Sequence, residues 1–348
     1  MRKIRTMRAV VKGRFAGARL LEVEVPEVGP SDVLVEVHAA GICGSDLRKY
    51  RWAPESGPLT FKLPITLGHE FAGIVVSCGD EVRSVQVGDR VAGEPHIPCC
   101  TCYQCRSGLP HICANLRIIG SHVNGCFADY ILVPAVCARK LPRDISFETG
   151  AILEPFGVGV HAAEKGRVNG QSVLVLGYGP IGLFAGMAAR ALGAKSIIGS
   201  EVNPFRLALA KKVGLNEVLN PQRNDLLTYA LEATNGVGVD VVIEASGSSA
   251  AFKEGLSALR KGGRMVVVGI PSQPVELDVR HHLIYKEATI SGIHGREMFR
   301  TWETAERLIL EDKVDPAKVI THRSALEDFQ KAFELALTGR CGKALLLP

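Results

Sequence analysis

Long apolar runs are missing from this 348-residue sequence. No stretch reaches the roughly 18 consecutive apolar residues that indicate a membrane-spanning helix. The N-terminus also lacks the apolar segment that is typical of a secretory signal. Internal repeats and low-complexity runs are absent as well. We therefore expect a globular protein of the cytoplasm that has no membrane partner.

Concentrated charge is scarce too. The net charge of +5 comes from Lys and Arg residues scattered along the chain, and the one dense basic run covers residues 1–8. We interpret this run as a solvated tail, because no helix-turn-helix or basic recognition face accompanies it. The sequence therefore predicts no nucleic-acid partner and disfavours a repressor that uses a nucleotide-binding fold as a sensor.

The length of the chain predicts two domains, because single hydrophobic cores stop growing at about 250–300 residues. Residues 7 to about 150 are rich in strand-like segments, such as 7–11 and 32–38, with frequent glycine and proline between them. This pattern predicts a partly antiparallel, barrel-like domain. Farther along, apolar strands alternate with helical segments, and the last strand of that series is expected at 288–293. Such alternation predicts a doubly wound parallel sheet of about six strands.

Four of the ten cysteines are clustered with metal-ligand spacing. They follow the pattern C-x2-C-x2-C-x7-C and are Cys99, Cys102, Cys105 and Cys113. Four thiolates this close together can complete a tetrahedral shell around Zn²⁺, which is how a structural zinc site is built. The cluster favours bound zinc in a reducing compartment over disulfides.

A glycine-rich turn follows the apolar segment Ser172–Leu176. Its glycines are Gly177, Gly179 and Gly182, and a helical segment with Pro180 in its first turn comes next. Glycines at this spacing permit the close approach of a dinucleotide pyrophosphate to a helix N-terminus. Glu201 ends the following strand about 20 residues later, where an acidic residue accepts hydrogen bonds from the adenosine ribose. Because this carboxylate would repel a 2′-phosphate, we expect NAD rather than NADP.

Three further features carry potential ligands for a catalytic metal. They are Cys43 in G-I-C-G-S-D, His69 with Glu70 in G-H-E, and Glu154 before Pro155. A catalytic zinc needs about three protein ligands and one exchangeable position. A single buried Cys or His is usually a packing residue, but this combination, followed by a four-Cys cluster, indicates a metalloenzyme.

These motifs occur together, and in the same order, in one known family of enzymes. The chain resembles the zinc-dependent medium-chain alcohol and polyol dehydrogenases, and within them most of all the L-threonine 3-dehydrogenases. The stretches that carry the latter resemblance are 93–99, 295–302, 320–323 and 328–333. The resemblance implies a GroES-like, β-rich catalytic domain over residues 1–155 and 296–348. It also implies a Rossmann NAD-binding domain over 156–295, with the active site between the two.

The resemblance also implies roles for particular residues. Cys43, His69 and either Glu70 or Glu154 would bind the catalytic zinc, with the two glutamates able to exchange places in the shell. The four clustered cysteines would hold the structural zinc, and Ser45 would be the hydroxyl that relays the substrate proton. The NAD site would comprise Gly177, Gly179, Ile181, Gly182, Glu201, Arg206, Val268, Ile270, Ile293 and His294. Periodicity alone would place the aliphatic members in the core, and we keep that interpretation for Val268.

Two positions bear on the substrate. Members of the family commonly carry His five residues after the zinc-binding Cys, but here that position is Arg48. A guanidinium is always charged and cannot shuttle protons at neutral pH, so Arg48 is either a variable surface residue or a group that recognises an anionic or strongly polar substrate. His96 lies where threonine dehydrogenases have a His near the substrate, and the alternative is a hydrogen-bonded structural His.

The expected reaction is the oxidation of a secondary alcohol by NAD, with L-threonine converted to 2-amino-3-oxobutanoate. The main alternative is a polyol or sugar alcohol such as sorbitol, galactitol or butanediol. A more distant alternative is a zinc-free quinone reductase of the same superfamily, which the ligands Cys43, His69 and Glu154 disfavour. We expect a homo-oligomer, either a dimer or a tetramer, in which the strand at 288–293 could pair across a two-fold axis.

Overall fold

The computed structural model describes residues 5–54 and 60–348 of the chain. Its contacts divide the chain into two units, one formed by Met1–Glu154 with Ile320–Pro348 and the other by Pro155–Val319. The first boundary lies within one residue of the expected one, whereas the second lies at Ile320 instead of 296. Residues 296–319 belong to the second unit because Arg296 is buried against Gly157 and Thr304 donates a hydrogen bond to Glu164 (2.9 Å).

Strands dominate the first unit. They are β1 (Thr6–Lys12), β2 (Arg19–Glu24), β3 (Asp32–Gly41), β4 (Ile65–Thr66), β5 (Glu70–Cys78), β6 (Arg90–Gly93), β7 (His96–Ile97), β8 (Arg117–Ile118), β9 (Tyr130–Pro134), β10 (Ala138–Lys140), β17 (Ile320–Ala325) and β18 (Lys343–Leu347). Its helices are α1 (Gly44–Arg51), α2 (Tyr103–Arg106), α3 (Phe147–Ala151) and α10 (Phe329–Leu337).

The largest sheet of this unit has seven strands. Its order is β10-β6-β5-β3-β18-β17, with β9 also paired to β3, and every pair except β17–β18 is antiparallel. Apolar residues on β3 and β5 are buried against an aromatic group in which Phe127 and Phe333 meet edge to face at 5.8 Å. The prediction of a partly antiparallel, β-rich domain is confirmed, although the strand β17 was not foreseen.

The second unit alternates strands and helices. Its strands are β11 (Ser172–Leu176), β12 (Ser196–Ser200), β13 (Val218–Leu219), β14 (Val239–Glu244), β15 (Leu259–Val267) and β16 (Thr289–Gly292). Its helices are α4 (Leu153–Gly166, which begins in the first unit), α5 (Pro180–Ala191), α6 (Pro204–Lys212), α7 (Leu226–Glu232), α8 (Ser249–Ala258) and α9 (Arg300–Leu310).

All strand pairs in this unit are parallel, in the order β13-β12-β11-β14-β15-β16. Every residue of β11 is buried, as a central strand covered on both faces requires. The order reverses between β11 and β14, which is the switch point where doubly wound sheets bind their ligands. The predicted α/β fold with a six-stranded parallel sheet is confirmed.

The basic N-terminal run differs in part from the expected solvated tail. Residues 1–4 lie outside the described residues, but Met7 and Arg8 belong to β1. Met7 is buried, and Arg8 pairs with Asp129 at 2.6 Å and with Glu327. The alternation of apolar residues therefore extends the strand into the basic run. Among the described residues, no helix combines the length and the apolar character that crossing a membrane would require.

Candidate active site

The register of two strands brings the first candidate metal ligands together. β3 ends at Gly41, which pairs with Glu70 at the start of the antiparallel neighbour β5. Cys43 follows β3 as the N-cap residue of α1, and His69 immediately precedes β5. The two ends of an antiparallel pair meet at one edge of a sheet, so residues separated by 26 positions in the sequence become neighbours.

Cys43, His69 and Glu70 form a compact group of potential ligands. Their sulfur, nitrogen and carboxylate oxygen atoms all lie within 4.8 Å of one another, and His69 and Glu70 are buried. Among the described residues, no hydrogen bond reaches Oε1 of Glu70, although this oxygen is buried. A thiolate, an imidazole and a carboxylate are the ligands that Zn²⁺ accepts at catalytic sites. The buried, underused donor atoms therefore fit a zinc ion.

Asp46 was not singled out from the sequence, although it supports this group directly. It is fully buried, its Oδ2 accepts a hydrogen bond from the Cys43 backbone N–H (3.1 Å), and its Oδ1 lies 3.5 Å from Nδ1 of His69. Burial alone would raise the pKa of Asp46, but the nearby charges of His69 and Lys49 and the hydrogen bond from the Cys43 backbone outweigh it and lower the pKa to about 2. A carboxylate behind a ligating imidazole fixes the ring orientation, which leaves Nε2 of His69 for the metal.

Glu70 and Glu154 differ in their placement. Glu154 is buried in the first turn of α4 but does not join Cys43 and His69 within the same 4.8 Å. Glu70 contacts the buried ammonium group of Lys343, which the sequence did not suggest. Burial raises the pKa of Glu70 and the nearby charge of Glu154 acts in the same direction, although Lys343 opposes both. The geometry places Glu70 nearer the two other candidate ligands.

The residues expected to handle the substrate have different surroundings. Ser45 is half-buried in the first turn of α1, and Arg48 is exposed on the same helix. The Arg48 guanidinium has no hydrogen-bond or ion-pair partner within residues 5–54 and 60–348. His96 is buried on β7, where its Nδ1 lies 3.0 Å from Oε1 of the buried Glu94. A role for His96 beside the substrate stays a prediction, since this pairing also suits a structural His.

The four-Cys cluster has the dimensions of a zinc–thiolate site. The sulfur atoms of Cys99 and Cys113 are 3.4 Å apart, and Cys102 lies 3.5 Å from Cys105 and 3.7 Å from Cys113. Disulfide sulfurs are separated by about 2.0 Å, whereas tetrahedral Zn–S bonds of about 2.3 Å place the sulfurs roughly 3.8 Å apart. Hydrogen bonds from the Thr101 backbone and hydroxyl lower the pKa of Cys99 to about 5, which favours a thiolate. The cluster therefore fits a second zinc.

The glycine turn of the second unit has the packing that a dinucleotide site requires. Gly177 has a φ of +85°, and a Cβ on Gly182 would stand less than 3.0 Å from the Gly177 carbonyl oxygen, so neither position tolerates a side chain. A Cβ on Gly179 would meet only the Arg206 guanidinium, at 3.8 Å. Gly179 is the N-cap residue of α5, so the open space lies at a helix N-terminus, where phosphate is stabilised. Ile181 is half-buried in the first turn of the same helix.

Glu201 is turned toward the backbone of this glycine turn. Its carboxylate accepts hydrogen bonds from the backbone N–H groups of Tyr178 (2.9 Å), Val202 (2.8 Å) and Asn203 (2.8 Å). The Arg206 guanidinium lies 3.9 Å from the same carboxylate. The pair therefore sits beside Gly179 at the carboxyl end of β12.

The remaining candidates lie at or just beyond the carboxyl ends of β15 and β16. Val268 donates its backbone N–H to the Glu244 carbonyl (2.8 Å), and its side chain is only half-buried, which differs from the core position we expected. Ile293 is half-buried, His294 is exposed and Ile270 is 73% exposed. Apolar exposure of this size at the ligand-binding edge of a sheet is consistent with contact to a bound molecule.

Comparison with known proteins agrees with this geometry. Residues 29–143 match the model of the alcohol dehydrogenase GroES-like domain, and residues 180–311 match that of the zinc-binding dehydrogenases. The chain is 41% identical over 344 residues to an L-threonine 3-dehydrogenase of Bacillus subtilis, covering 98% of this chain and 99% of the relative.

Two solved structures extend the comparison. An alcohol dehydrogenase from Escherichia coli CFT073 in complex with NADH superposes with a TM-score of 0.91 at 28% identity, over 99% of this chain and 100% of the other. Galactitol-1-phosphate dehydrogenase from Escherichia coli superposes with a TM-score of 0.89 at 32% identity, over 98% and 100% of the two chains.

Proposed function

The chain belongs to the family of zinc-binding dehydrogenases with a GroES-like domain, and on that premise we propose that it is an NAD-dependent L-threonine 3-dehydrogenase. The observation that carries the proposal is the similarity to the Bacillus subtilis enzyme over 98% of the chain, together with the grouping of Cys43, His69 and Glu70. The reaction converts a secondary alcohol and NAD⁺ to a ketone, NADH and a proton.

The residues of the chain would divide the chemistry as follows. Cys43, His69 and Glu70 would hold the catalytic zinc, with Asp46 orienting His69, while Glu154 would serve as a nearby carboxylate. When bound, zinc supplies a Lewis acid that lowers the pKa of the substrate hydroxyl, and NAD supplies the hydride acceptor. Ser45 accepts the hydroxyl proton and passes it toward solvent, since Arg48 cannot take it up.

Arg48 would select the substrate by charge. Ser45 and Arg48 are three residues apart on α1, a spacing that places side chains on the same face of a helix. An exposed guanidinium that has no partner among residues 5–54 and 60–348 suits the carboxylate of an amino acid, with which it can form bidentate hydrogen bonds. A neutral polyol offers no such group.

A substrate panel with matched variants tests this proposal. NADH formation is followed with L-threonine, 2,3-butanediol, sorbitol, galactitol and galactitol 1-phosphate, for the wild type, Arg48→Ala and Arg48→His. We expect L-threonine to give the highest kcat/KM, and Arg48→Ala to raise KM for L-threonine but not for neutral polyols. Absence of NADH formation with L-threonine would refute the assignment.

The second candidate function is a polyol dehydrogenase. The observation that favours it is the superposition on galactitol-1-phosphate dehydrogenase at 32% identity, and Arg48 would then face a phosphate. The panel separates the two, because this candidate predicts activity with the phosphorylated alditol and none with L-threonine. The third candidate function is a zinc-free quinone reductase. Purified protein that contains no zinc and reduces quinones would identify it.

The number of metals and the choice of cofactor are part of the proposal. We propose two zinc ions per chain, one at the catalytic ligands and one at the four cysteines, which metal analysis can count. The Glu201 carboxylate supports a preference for NAD over NADP, because it would repel a 2′-phosphate. The neighbouring Arg206 guanidinium could pair with that phosphate, so we expect a low but measurable activity with NADP. The ratio of kcat/KM for the two cofactors measures this preference.

The assembly and compartment are proposed on separate grounds. β16 is an edge strand of the parallel sheet, and the exposed Ile284 and Tyr285 precede it in the sequence. Because unpaired edges invite pairing, we propose a homo-oligomer formed through β16, a dimer or a tetramer, which sedimentation can determine. None of the ten cysteines, all within the described residues, forms a disulfide, which supports a reducing compartment such as the cytoplasm.

A further inference from the structure

Lys343 places a buried positive charge beside the candidate catalytic ligands. Its side chain is 2% exposed and pairs with Oε2 of Glu70, which is itself fully buried. The thiol of Cys43 and the carboxyl group of Glu154 also lie near enough to interact electrostatically with this ammonium group. A fixed cation therefore stands among three acidic groups, where a second cation, zinc, is proposed to bind.

The backbone holds this ammonium group in place. Lys343 begins β18, which pairs with the end of β3 through Leu345 and Gly41. Its Nζ donates a hydrogen bond to the carbonyl oxygen of Ile42 (2.8 Å), the residue that precedes Cys43. The ammonium group thus has one anchor next to Cys43 and another on Glu70.

Gly41 makes room for the carboxylate in this position. A Cβ on Gly41 would stand less than 3.0 Å from Oε2 of Glu70, closer than real Cβ atoms approach other atoms. Any other residue at 41 would displace the Glu70 carboxylate from Lys343. The lack of a side chain at Gly41, the carbonyl of Ile42 and the ammonium group of Lys343 therefore specify one placement of Glu70.

We propose that Lys343 is a positioning residue that competes with the zinc ion for the Glu70 carboxylate. This inference rests on the metal site of the proposed function. By holding one oxygen of Glu70, Lys343 would keep the carboxylate a weak, exchangeable ligand for the zinc ion that this site would hold. Without the ammonium group, the buried carboxylate would lose the cation that pairs with its Oε2, and it would bind the metal more firmly.

A comparison with Lys12 separates this role from ordinary charge burial. Lys12 is also fully buried in the first unit, but its acceptors among the described residues are all backbone carbonyls, those of Phe15, Gly17 (3.0 Å) and Trp52 (2.8 Å). Lys12→Met therefore removes a buried ammonium group without touching a candidate ligand. It is the matched control for Lys343→Met, which removes the same group beside Glu70, whereas Lys343→Arg keeps the charge.

Two measurements on the holoenzyme test the proposal. The first is the rate at which zinc at the catalytic site is lost to a chelator, and the second is the visible absorption spectrum after Co²⁺ replaces that zinc. We expect Lys343→Met to slow the metal loss at least about tenfold, the scale of changes next to metal ligands. We also expect it to weaken the Co²⁺ bands, as an added ligand does. Lys343→Arg and Lys12→Met should keep the wild-type rate and spectrum.

The outcomes that overturn the proposal are distinct. The proposal is overturned if Lys343→Met loses zinc at the wild-type rate and keeps the wild-type Co²⁺ spectrum. It is also overturned if Lys12→Met shows slower zinc loss and weaker Co²⁺ bands. If Lys343→Met does not fold, Lys343→Gln supplies the same readouts, since its amide can donate to Ile42. Failure of both to fold would also overturn it, because Lys343 would then serve the fold. A wild-type protein that binds no metal at Cys43 and His69 would instead refute the proposed function.

Discussion

Two glycines of the dinucleotide turn offer the sharpest test of the cofactor site. Gly179 and Gly182 are three residues apart, and both belong to the same sequence motif, but their surroundings differ. A Cβ on Gly179 meets only Arg206, at the ordinary contact distance of 3.8 Å, whereas a Cβ on Gly182 collides with the carbonyl oxygen of Gly177. Gly179→Ala and Gly182→Ala therefore separate ligand contact from packing.

The expected magnitudes follow from these contacts. Gly182→Ala overpacks a backbone-to-backbone contact, which costs about 1–3 kcal/mol. For a unit of this size each kcal/mol lowers Tm by about 2–4 °C, so we expect a loss of roughly 2–12 °C. Gly179→Ala replaces an N-cap glycine of allowed φ and should cost at most about 1 kcal/mol. Its methyl group would occupy the space of the pyrophosphate and weaken NAD binding at least about tenfold, or 1.4 kcal/mol.

Thermal unfolding of the NAD-free enzyme and calorimetric titration with NAD measure the two effects independently. The reasoning predicts that Gly179→Ala unfolds close to the wild type but binds NAD poorly, and that Gly182→Ala unfolds at a clearly lower temperature. Wild-type NAD affinity in Gly179→Ala would refute the placement of the pyrophosphate at the N-terminus of α5.

Three further predictions concern the metals and the charges. Cys105→Ser should reduce the zinc content by one ion per chain and lower Tm, because a four-thiolate site needs all its ligands; metal analysis and calorimetry check both. Asp46→Asn keeps the shape of the side chain but loses its charge toward His69, so we expect zinc affinity to fall about 10–100-fold in chelator competition. Ser172 and Arg260 lower the pKa of Asp240 despite its partial burial. The contribution of Asp240 to folding stability is therefore fully present above its unfolded-state pKa of about 4. It is lost as the pH falls from there through the lowered pKa of the folded state. Asp240→Asn should lower Tm by about 2–4 °C at pH 7 and by less at pH 3, whereas the exposed Asp144→Asn should change Tm at neither.

The parts of the site that are local in sequence were predictable. The cysteine cluster lies within 15 residues, Cys99 to Cys113, and its spacing alone limits the sulfur geometry. The glycine turn is likewise bounded by its own strand and helix, β11 and α5. In both cases the chain between the residues is too short to permit many arrangements.

The parts that depend on strand pairing were not predictable in the same way. The choice between Glu70 and Glu154 rests on the register of β3 against β5, which no short motif specifies. Lys343 reaches Glu70 only because β18 is paired with β3. Asp46 lay within a motif that we quoted, and its spacing of three residues from Cys43 was the signal that could have identified it.

The missed strand β17 and the domain boundary that differs from the expected one also have physical explanations. β17 has the sequence I-T-H-R-S-A and is mostly half-buried or exposed, because it is an edge strand, so no apolar alternation marks it. The segment 296–319 carries an amphipathic helix, α9, whose apolar face does not reveal which core covers it. Its assignment to the second unit depends on contacts such as that of Arg296 with Gly157.

The insertion of β18 beside β3 has a consequence for how the protein is made. The second unit is one continuous segment, Pro155–Val319, so a growing chain can complete it while synthesis continues. The first unit is completed later, because its sheet lacks the strands β17 and β18 until residues 320–347 have been translated. Domains otherwise tend to form in the order of synthesis, but here the N-terminal portion matures last. Lys343 can reach Glu70 only after β18 has been translated, so the group formed by Cys43, His69 and Glu70 acquires its final surroundings at this late stage.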